Sequence, residues 1–134
     1  MLLQPKRIKF RKFQKGRRLK GAQYYPITLG SYALYAKESG YISSRQLEAA
    51  RQTINRQLQR QGRIWLRVFP DYGVSKKPSE IRIGKGKGKV DHWVCKIRPG
   101  IVIFEISGVK ETLALKAFIS GAHKLPVTAS IKKS

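Results

Sequence analysis

The first 37 residues of this chain carry ten basic side chains and no acidic one, because the first acid is Glu38. The ten are Lys6, Arg7, Lys9, Arg11, Lys12, Lys15, Arg17, Arg18, Lys20 and Lys37. Like charges this close together repel one another, so such a segment becomes ordered only when a polyanion supplies the missing negative charge. We therefore expect residues 1–25 to form a basic extended arm that works against a polyanionic partner.

The remainder of the chain has the composition of a folded domain. Apolar residues make up 41% of the 134 residues, and about 110 residues outside the arm are enough for one core. The chain has 29 Lys and Arg against 7 Asp and Glu, a formal net charge of +22, and self-repulsion of this size must be offset by a partner. We expect residues 26–134 to be a single domain.

Three apolar side chains, Ile8, Phe10 and Phe13, alternate with the basic residues of the arm. A purely electrostatic tail does not need them. An arm that lies in a groove can use them to anchor itself or to stack on bases.

Several classes of site are disfavoured. Cys95 is the only cysteine, so an intrachain disulfide is impossible, and with His92 and His123 it does not reproduce the paired spacing of a zinc site. The seven acids are scattered without a close pair for acid–base work. No apolar run reaches the 18 residues of a membrane span. We expect no enzyme activity, no cofactor, no metal and no membrane partner.

The segment Tyr24–Lys37 is rich in β-forming residues. Ile27, Leu29, Ala33 and Tyr35 fall on one side of the alternation, with Gly30 as an expected bulge.

A helix follows, and Ser43 with Gln46 predicts a capping box at its start. Leu47, Ala50, Ile54 and Leu58 recur at helical spacing and predict an inward apolar stripe, with Gly62 ending the helix. At about 100° per residue, one set of arginines clusters on the opposite side of this helix. The set is Arg45, Arg56, Arg60 and Arg63. Because no acid follows Glu48 on the helix to neutralise them, we interpret this face as RNA-facing rather than as an ordinary solvated face.

The second half of the chain predicts further strands and one more helix. A strand is expected over Ile64–Phe69, followed by a turn at Pro70–Gly73 and an exposed loop at Lys76–Pro78. The runs Val90–Ile97 and Ile101–Ile106 predict a hairpin that turns at Arg98–Gly100. A helix over Lys110–Lys124, with Leu113, Ala117 and Phe118 inward, and a last strand over Val127–Ile131 complete the chain. The pattern is that of one mixed α and β domain.

Residues 82–89, Arg-Ile-Gly-Lys-Gly-Lys-Gly-Lys, form the most unusual local sequence. A Walker loop needs a glycine at position 89, where this chain has Lys89, and the dinucleotide fingerprint fails at the same position. Glycines alternating with lysines instead give a pliable cationic strip that can pass close to phosphates without selecting a nucleotide. The alternative is an ordinary solvent-exposed loop.

Five separated blocks of the sequence resemble one known family. PKRIKFRKFQKGR, SSRQLEAAR, GRIWLRVFPD, RIGKGKGKVDHWV and PGIVIFEISGV occur in the order found in the large-subunit ribosomal protein L-sixteen family of bacteria and organelles. The resemblance runs from the first residues almost to the last. It implies an α+β fold in which two helices pack on an antiparallel sheet, with a basic N-terminal extension and a projecting Gly/Lys loop.

The resemblance also implies a function without catalysis. The chain would be a structural constituent of the large ribosomal subunit, bound to rRNA near the base of the central protuberance and helping to position tRNA at the aminoacyl site. Residues expected to bind rRNA are Lys6, Arg7, Lys9, Arg11, Lys12, Lys15, Arg17, Arg18, Lys20, Arg45, Arg51, Arg56, Arg60 and Arg63. Residues expected near tRNA are Arg82, Gly84, Lys85, Gly86, Lys87, Gly88 and Lys89. The other expected partners are neighbouring large-subunit proteins, and no homo-oligomer is expected.

Two departures concern the loop. Members of the family usually have Met where this chain has Ile83, and Asn or Ser where it has Lys89. The chain begins where members of the family usually begin, without a presequence, and it is rich in Ile, Lys and Tyr. The start fits a bacterial gene or an organelle-encoded one, while the composition and the departures favour an organelle. We expect a mitochondrial ribosome before a plastid one, with a bacterial cytoplasm as the alternative.

Two other functions stay open at this point. The chain could be a free nucleic-acid chaperone that joins no particle, which sedimentation would distinguish from a ribosomal protein. It could also be an RNA-modifying enzyme, which would need a cofactor pocket or an acid–base pair that the sequence does not display.

Overall fold

The computed structural model describes residues 3–14, 16, 19 and 21–134. Within these residues, two helices and seven strands follow one another. They are β1 (Tyr32–Ala36), β2 (Gly40–Ser43), α1 (Ser44–Gln57), β3 (Arg63–Leu66), β4 (Tyr72–Lys76), β5 (Lys89–Ile97), β6 (Val102–Ser107), α2 (Glu111–Ala122) and β7 (Ala129–Lys133). The α+β class is confirmed, with both helices packed against antiparallel sheet structure.

The strands form two sheets rather than the single sheet that was expected. The first has the order β3-β6-β1-β7 and the second the order β2-β5-β4, and every pairing is antiparallel. The predicted hairpin of Val90–Ile97 with Ile101–Ile106 is therefore wrong, since β5 and β6 lie in different sheets. At the turn between them, Gly100 has a φ of +87° and donates its N–H to the carbonyl of Ala36, the last residue of β1. This bond directs the chain away from β5 and into the first sheet.

Helix α1 begins as predicted. The Ser43 side chain accepts the N–H of Gln46, and the Gln46 side chain accepts the N–H of Ser43, which completes the capping box. The predicted stripe of Leu47, Ala50, Ile54 and Leu58 is fully buried. Burying a Leu or Ile side chain contributes about 1.5–3 kcal/mol, so this stripe fixes the helix on the sheets.

The two helices cross closely because of one glycine. A side chain at Gly121 of α2 would lie 2.5 Å from Cγ1 of Ile54 on α1. Ala117 and Phe118 are buried as predicted, while Leu113 is half-buried against the same core. The helix spans Glu111–Ala122, within the predicted range.

Several boundaries differ from the expectation, and the predicted strand over Ile64–Phe69 already ends at Leu66. The predicted strand over Tyr24–Lys37 is regular only in β1, because a side chain rather than a neighbouring strand accepts the N–H groups of residues 28–30. Ile27 packs with Ala33 and Tyr35 as predicted, but Leu29 is exposed. Tyr72–Lys76, predicted as turn and loop, is strand β4, whose partners on β5 lie 13 to 22 residues away in sequence (Lys76 to Lys89, 89 − 76; Tyr72 to Val94, 94 − 72). The last strand runs two residues later than predicted.

Candidate nucleic-acid interface

The described part of the basic arm packs on the smaller sheet. The hydroxyl of Tyr72 donates to the carbonyl of Gln14, and the Phe13 ring stacks 5.1 Å from the Tyr72 ring. Gly73 makes room for this contact, since a side chain there would lie 2.9 Å from the carbonyl oxygen of Arg11. Leu3 is buried in the main core. Leu3 and Phe13 thus anchor the arm to the domain, whereas the expected anchor Phe10 is 70% exposed.

The cations of the same segment face outward. Lys6, Arg7, Lys9, Arg11 and Lys12 are all exposed. The predicted rRNA contacts Lys15, Arg17, Arg18 and Lys20 lie outside the described residues. A partner that approaches the arm from solvent therefore meets a group of positive charges together with the exposed Phe10 ring.

The arm and the Gly/Lys loop hold each other through a reciprocal pair of hydrogen bonds. The ammonium group of Lys12 donates to the carbonyl of Lys87 at 2.9 Å, and the ammonium group of Lys87 donates to the carbonyl of Phe13. These groups are about 75 residues apart in sequence. We call this contact the lysine clasp. It joins the two segments that the sequence assigned to separate tasks.

The loop closes the β4–β5 hairpin, and its glycines have different roles. Gly84, Lys85 and Gly86 have positive φ values, of which the two glycines adopt +103° and +82° without strain. Gly88 is needed for space, because a side chain there would lie 2.4 Å from the carbonyl oxygen of Lys76. This alternation explains why the loop is built from glycine at every second position.

Several lysines surround a hollow of about 620 Å³ beneath the loop. Its charged lining consists of Lys12, Lys76, Lys77, Lys85, Lys87, Lys89 and Asp91. Arg82 is exposed beside them. Lys76 and Lys77, predicted to lie in a separate exposed loop, line this hollow together with the loop lysines. Their position just before the glycine-rich segment was the signal in the sequence that could have predicted this.

Asp91 is the acid within this positive surface. Its pKa is lowered, first by the side-chain hydrogen bond with His92, whose Nδ1 lies 2.8 Å away, and then by the charges of His92, Lys76 and Arg45. The carboxylate therefore stays ionised and cancels only one of the surrounding charges.

The predicted arginine face of the first helix needs correction. Arg45 and Arg56 lie on α1 and are exposed, but the helix ends at Gln57, before Arg60 and Arg63. Arg60 has a φ of 66° in the turn that follows, and Arg63 begins β3. All four side chains are exposed, and Arg56 and Arg60 line one shallow hollow. The charges are present as predicted, on a helix–turn–strand surface rather than on one helical face.

Arg51 is already engaged within the protein. Its guanidinium makes two hydrogen bonds to the carboxylate of Glu48, at 2.7 and 3.0 Å. These bonds lower the pKa of Glu48 to about 2, the hydrogen bond from Arg51 being the largest cause. Arg51 is 34% exposed, so an anion can reach it only in competition with Glu48.

One buried network escaped the sequence reasoning. Glu105, on β6, is fully buried and accepts the N–H groups of Leu29 and Gly30 at 2.7 and 2.8 Å, while Arg67 lies 2.6 Å from its other oxygen. Arg67 also donates to the hydroxyl of Thr28. The available signal was a single acid inside the otherwise apolar run Val102–Ile106.

Within the described residues, no three His, Cys, Asp or Glu side chains lie close enough together to hold a metal ion. No helix among these residues is long and apolar enough to cross a bilayer. The site is thus described by its cations, aromatic rings and backbone.

A small α+β domain with an unbalanced basic surface on an arm, a loop and a helix is typical of nucleic-acid-binding proteins. Residues 5–132 match the family model described as Ribosomal protein L16p/L10e. The chain belongs to this family, which confirms the resemblance found in the sequence.

Its relatives cover nearly the whole chain. It is 52% identical over 133 residues to the "Large ribosomal subunit protein uL16" of Paracoccus denitrificans, covering 97% of this chain and 96% of that one. It is 52% identical over 132 residues to the protein of the same name from Maricaulis maris, with the same coverage, and 52% identical over 131 residues to that of Blochmanniella pennsylvanica, covering 98% of each chain.

These names bear on two expectations. The relatives are named as ribosomal proteins and not as enzymes, in agreement with the prediction of no enzyme activity. All three come from bacteria, so they lend no support to the preference for an organelle.

Proposed function

We propose that this protein is a structural constituent of the large ribosomal subunit, where it binds rRNA near the base of the central protuberance and helps to position tRNA at the aminoacyl site. It does no chemistry of its own. Its membership of the Ribosomal protein L16p/L10e family and its relatives named as large-subunit proteins support this function. Its other partners are rRNA-bound neighbouring proteins of the subunit.

The observation that carries the proposal is the excess of positive charge and its distribution. Even if each of the 7 acids neutralised one cation, 22 of the 29 Lys and Arg would remain unpaired (29 − 7). The cations of the described arm, Arg45 and Arg56 of α1, and the loop lysines are exposed, while Arg51 is half-buried against Glu48. rRNA phosphates satisfy such a surface, and contacts to backbone and shape rather than to base edges give affinity.

The arm and the loop divide the work. The arm and the arginines from Arg45 to Arg63 bind rRNA and hold the protein in the subunit. The loop residues Arg82 and Gly84–Lys89 lie near tRNA. The pliable glycines and the mobile lysine charges suit a partner that arrives and leaves, because they attract phosphates without a fixed geometry.

Salt dependence tests the rRNA contact. If about ten phosphates of duplex RNA are neutralised, the logarithm of the association constant falls with the logarithm of salt concentration with a slope on the order of −7 to −9. The slope is obtained by measuring the binding of the full chain to a large-subunit rRNA fragment between about 50 and about 200 mM salt. A slope near −2 contradicts the extended basic contact.

Matched charge removal tests which cations matter. Replacing Lys6, Arg7 and Lys9 with Gln should flatten the salt slope by on the order of two to three units. Replacing Lys110, Lys116 and Lys124 with Gln removes the same charge from α2 and its flanks. An equal effect of both triple changes would show that total charge, and not the arm, determines binding.

Sedimentation separates this function from that of a free nucleic-acid chaperone. The protein should remain with the large subunit through moderate salt, whereas a chaperone should wash off. The compartment stays a prediction from composition, with a mitochondrial ribosome expected first. The bacterial relatives are also compatible with a bacterial ribosome.

A further inference from the structure

A cavity of about 780 Å³ opens where the arm crosses the junction of the two sheets. Pro5 and Ile8 of the arm form one wall, and Val68 and Phe69, which follow β3, form another. Val102, on β6, lies at its base. The volume falls within the range of protein sites for small organic groups, about 300–1,000 Å³.

Two aromatic rings in this cavity have free faces. Phe13 and Tyr72 also line it, but they already pack against each other, and Lys96 covers Tyr72 at 4.0 Å. Phe69 and Tyr25 are 48% and 41% exposed, and within the described residues neither ring contacts another ring or a cation. Such faces stack readily on a nucleobase.

The polar groups of the cavity are those that a nucleotide requires. Arg7 is exposed and forms no ion pair with the described acids, so its guanidinium can meet a phosphate. Arg67 is held by Glu105 and is not free for this task. Asp71 is the acid of the lining, and its carboxylate can accept a hydrogen bond from an exocyclic amino group of a base.

We propose that this cavity receives one unstacked nucleotide of RNA, with its base against Phe69, the more exposed of the two rings, its phosphate at Arg7, and an amino group of the base at Asp71. Adenine, cytosine and guanine carry such a group and uracil does not, so the cavity favours them over uracil. This proposal rests on the proposed RNA-binding function. The proposed contact differs from the backbone contacts described above because here a single base enters the protein.

The test uses the full chain and two RNA hairpins of equal length, one fully paired and one with a single bulged adenosine. The bulged hairpin should bind about tenfold more tightly, since stacking on an aromatic side chain is worth roughly this factor. Phe69→Ala should remove the difference between the hairpins, and Phe69→Trp should keep it. A bulged uridine should bind more weakly than the bulged adenosine, and Asp71→Asn should reduce that discrimination.

The control variant is Ile81→Ala, which removes an apolar side chain that is 53% exposed and lies outside this cavity. It should leave the preference for the bulge unchanged. Placing 2-aminopurine at the bulge gives a direct readout, because its fluorescence should change when it leaves the RNA stack to bind the original protein or Phe69→Trp, but not with Phe69→Ala.

The outcomes separate the two proposals. Equal and salt-sensitive binding of both hairpins, with no change in 2-aminopurine fluorescence, would overturn the cavity proposal and leave the RNA-binding function standing. Failure to bind any hairpin or rRNA fragment would overturn both. Tyr25→Ala tests the other ring and should keep the preference for the bulge, because the contacts of Tyr25 with Gly100 and Tyr35 are made by its backbone and survive the change. Loss of the preference in Tyr25→Ala but not in Phe69→Ala would overturn the placement of the base on Phe69.

Discussion

Arg67 and Glu105 form an ion pair of 2.6 Å in which the carboxylate is fully buried and the guanidinium side chain is 26% exposed. The same carboxylate accepts the N–H groups of Leu29 and Gly30, so it is satisfied on both oxygens. The pair ties the segment that enters β1 to β6 and to the residue after β3. A buried charge of this kind is tolerated because every partner is in place.

Glu105→Gln should lower the free energy of unfolding by about 3 kcal/mol, because it leaves Arg67 without its counter-ion and disturbs two backbone hydrogen bonds. Urea denaturation followed by far-UV circular dichroism measures the change. Glu80→Gln, on the exposed loop, is the matched control and should have no effect. Equal stability of both variants would show that the network contributes little.

The pair of Glu48 and Arg51 should make stability depend on pH in the acid range. The pKa of Glu48 is lowered in the fold from 4.5 to about 2, so the pair stabilises the fold above pH 4.5 and loses this contribution as the pH falls from 4.5 toward 2. Since Arg51 is 34% exposed, solvent screening limits the contribution to about 0.5–1 kcal/mol.

The comparison that measures it is the original protein against Glu48→Gln, by urea denaturation at pH 7 and at the lowest pH at which the fold persists. The difference in stability should be present at pH 7 and shrink in acid. A difference that stays constant with pH would assign the effect to the neutral hydrogen bonds alone.

Cys95 should resist alkylation in the folded protein. Burial is the largest cause that raises the pKa of its thiol, to about 12, so almost no thiolate is present at pH 8, and the side chain is only 3% exposed. Because only the thiolate reacts, iodoacetamide labelling should be at least about a hundredfold slower in the folded than in the urea-unfolded protein, as followed by mass spectrometry. Rapid labelling of the folded chain would mean that β5 opens frequently.

Replacing Lys85, Lys87 and Lys89 with Ala should leave subunit association intact but impair tRNA accommodation, because the arm and α1 supply most of the neutralising charge. The lysine clasp refines this experiment, since Lys87 also holds the arm. The double change of Lys85 and Lys89 removes loop charge without breaking the clasp. Association with the subunit is measured by sedimentation, and tRNA binding is then measured on the assembled particles.

Two results would contradict this division of labour. Loss of association in the double variant would mean that the loop binds rRNA. Normal tRNA accommodation in the triple variant would mean that the loop lysines have no task at the aminoacyl site.

The features predicted correctly from sequence are those determined by nearby residues. The capping box of Ser43 and Gln46 and the stripe from Leu47 to Leu58 depend on spacings of three and four, which the sequence displays directly. Cap and stripe act on one helix, so no knowledge of other elements was needed.

The features predicted wrongly depend on distant partners. The segment Val90–Ile106 reads as a hairpin, but the partners of β5 are β2 and β4, and no local signal of Arg98–Gly100 specifies them. Likewise, Tyr72–Lys76 has a weak strand pattern and becomes β4 through its pairing with β5 and the cover of Phe13. Of the candidate site, the exposed cations could be predicted by residue, but the contact of Lys12 with Lys87 could not.

The lysine clasp gives the arm a mechanical role. Because each lysine holds a carbonyl of the other segment, the β4–β5 hairpin cannot swing away from the arm unless both hydrogen bonds break. We therefore expect a displacement of the arm to move the hairpin with it at the surface, without any rearrangement of the core.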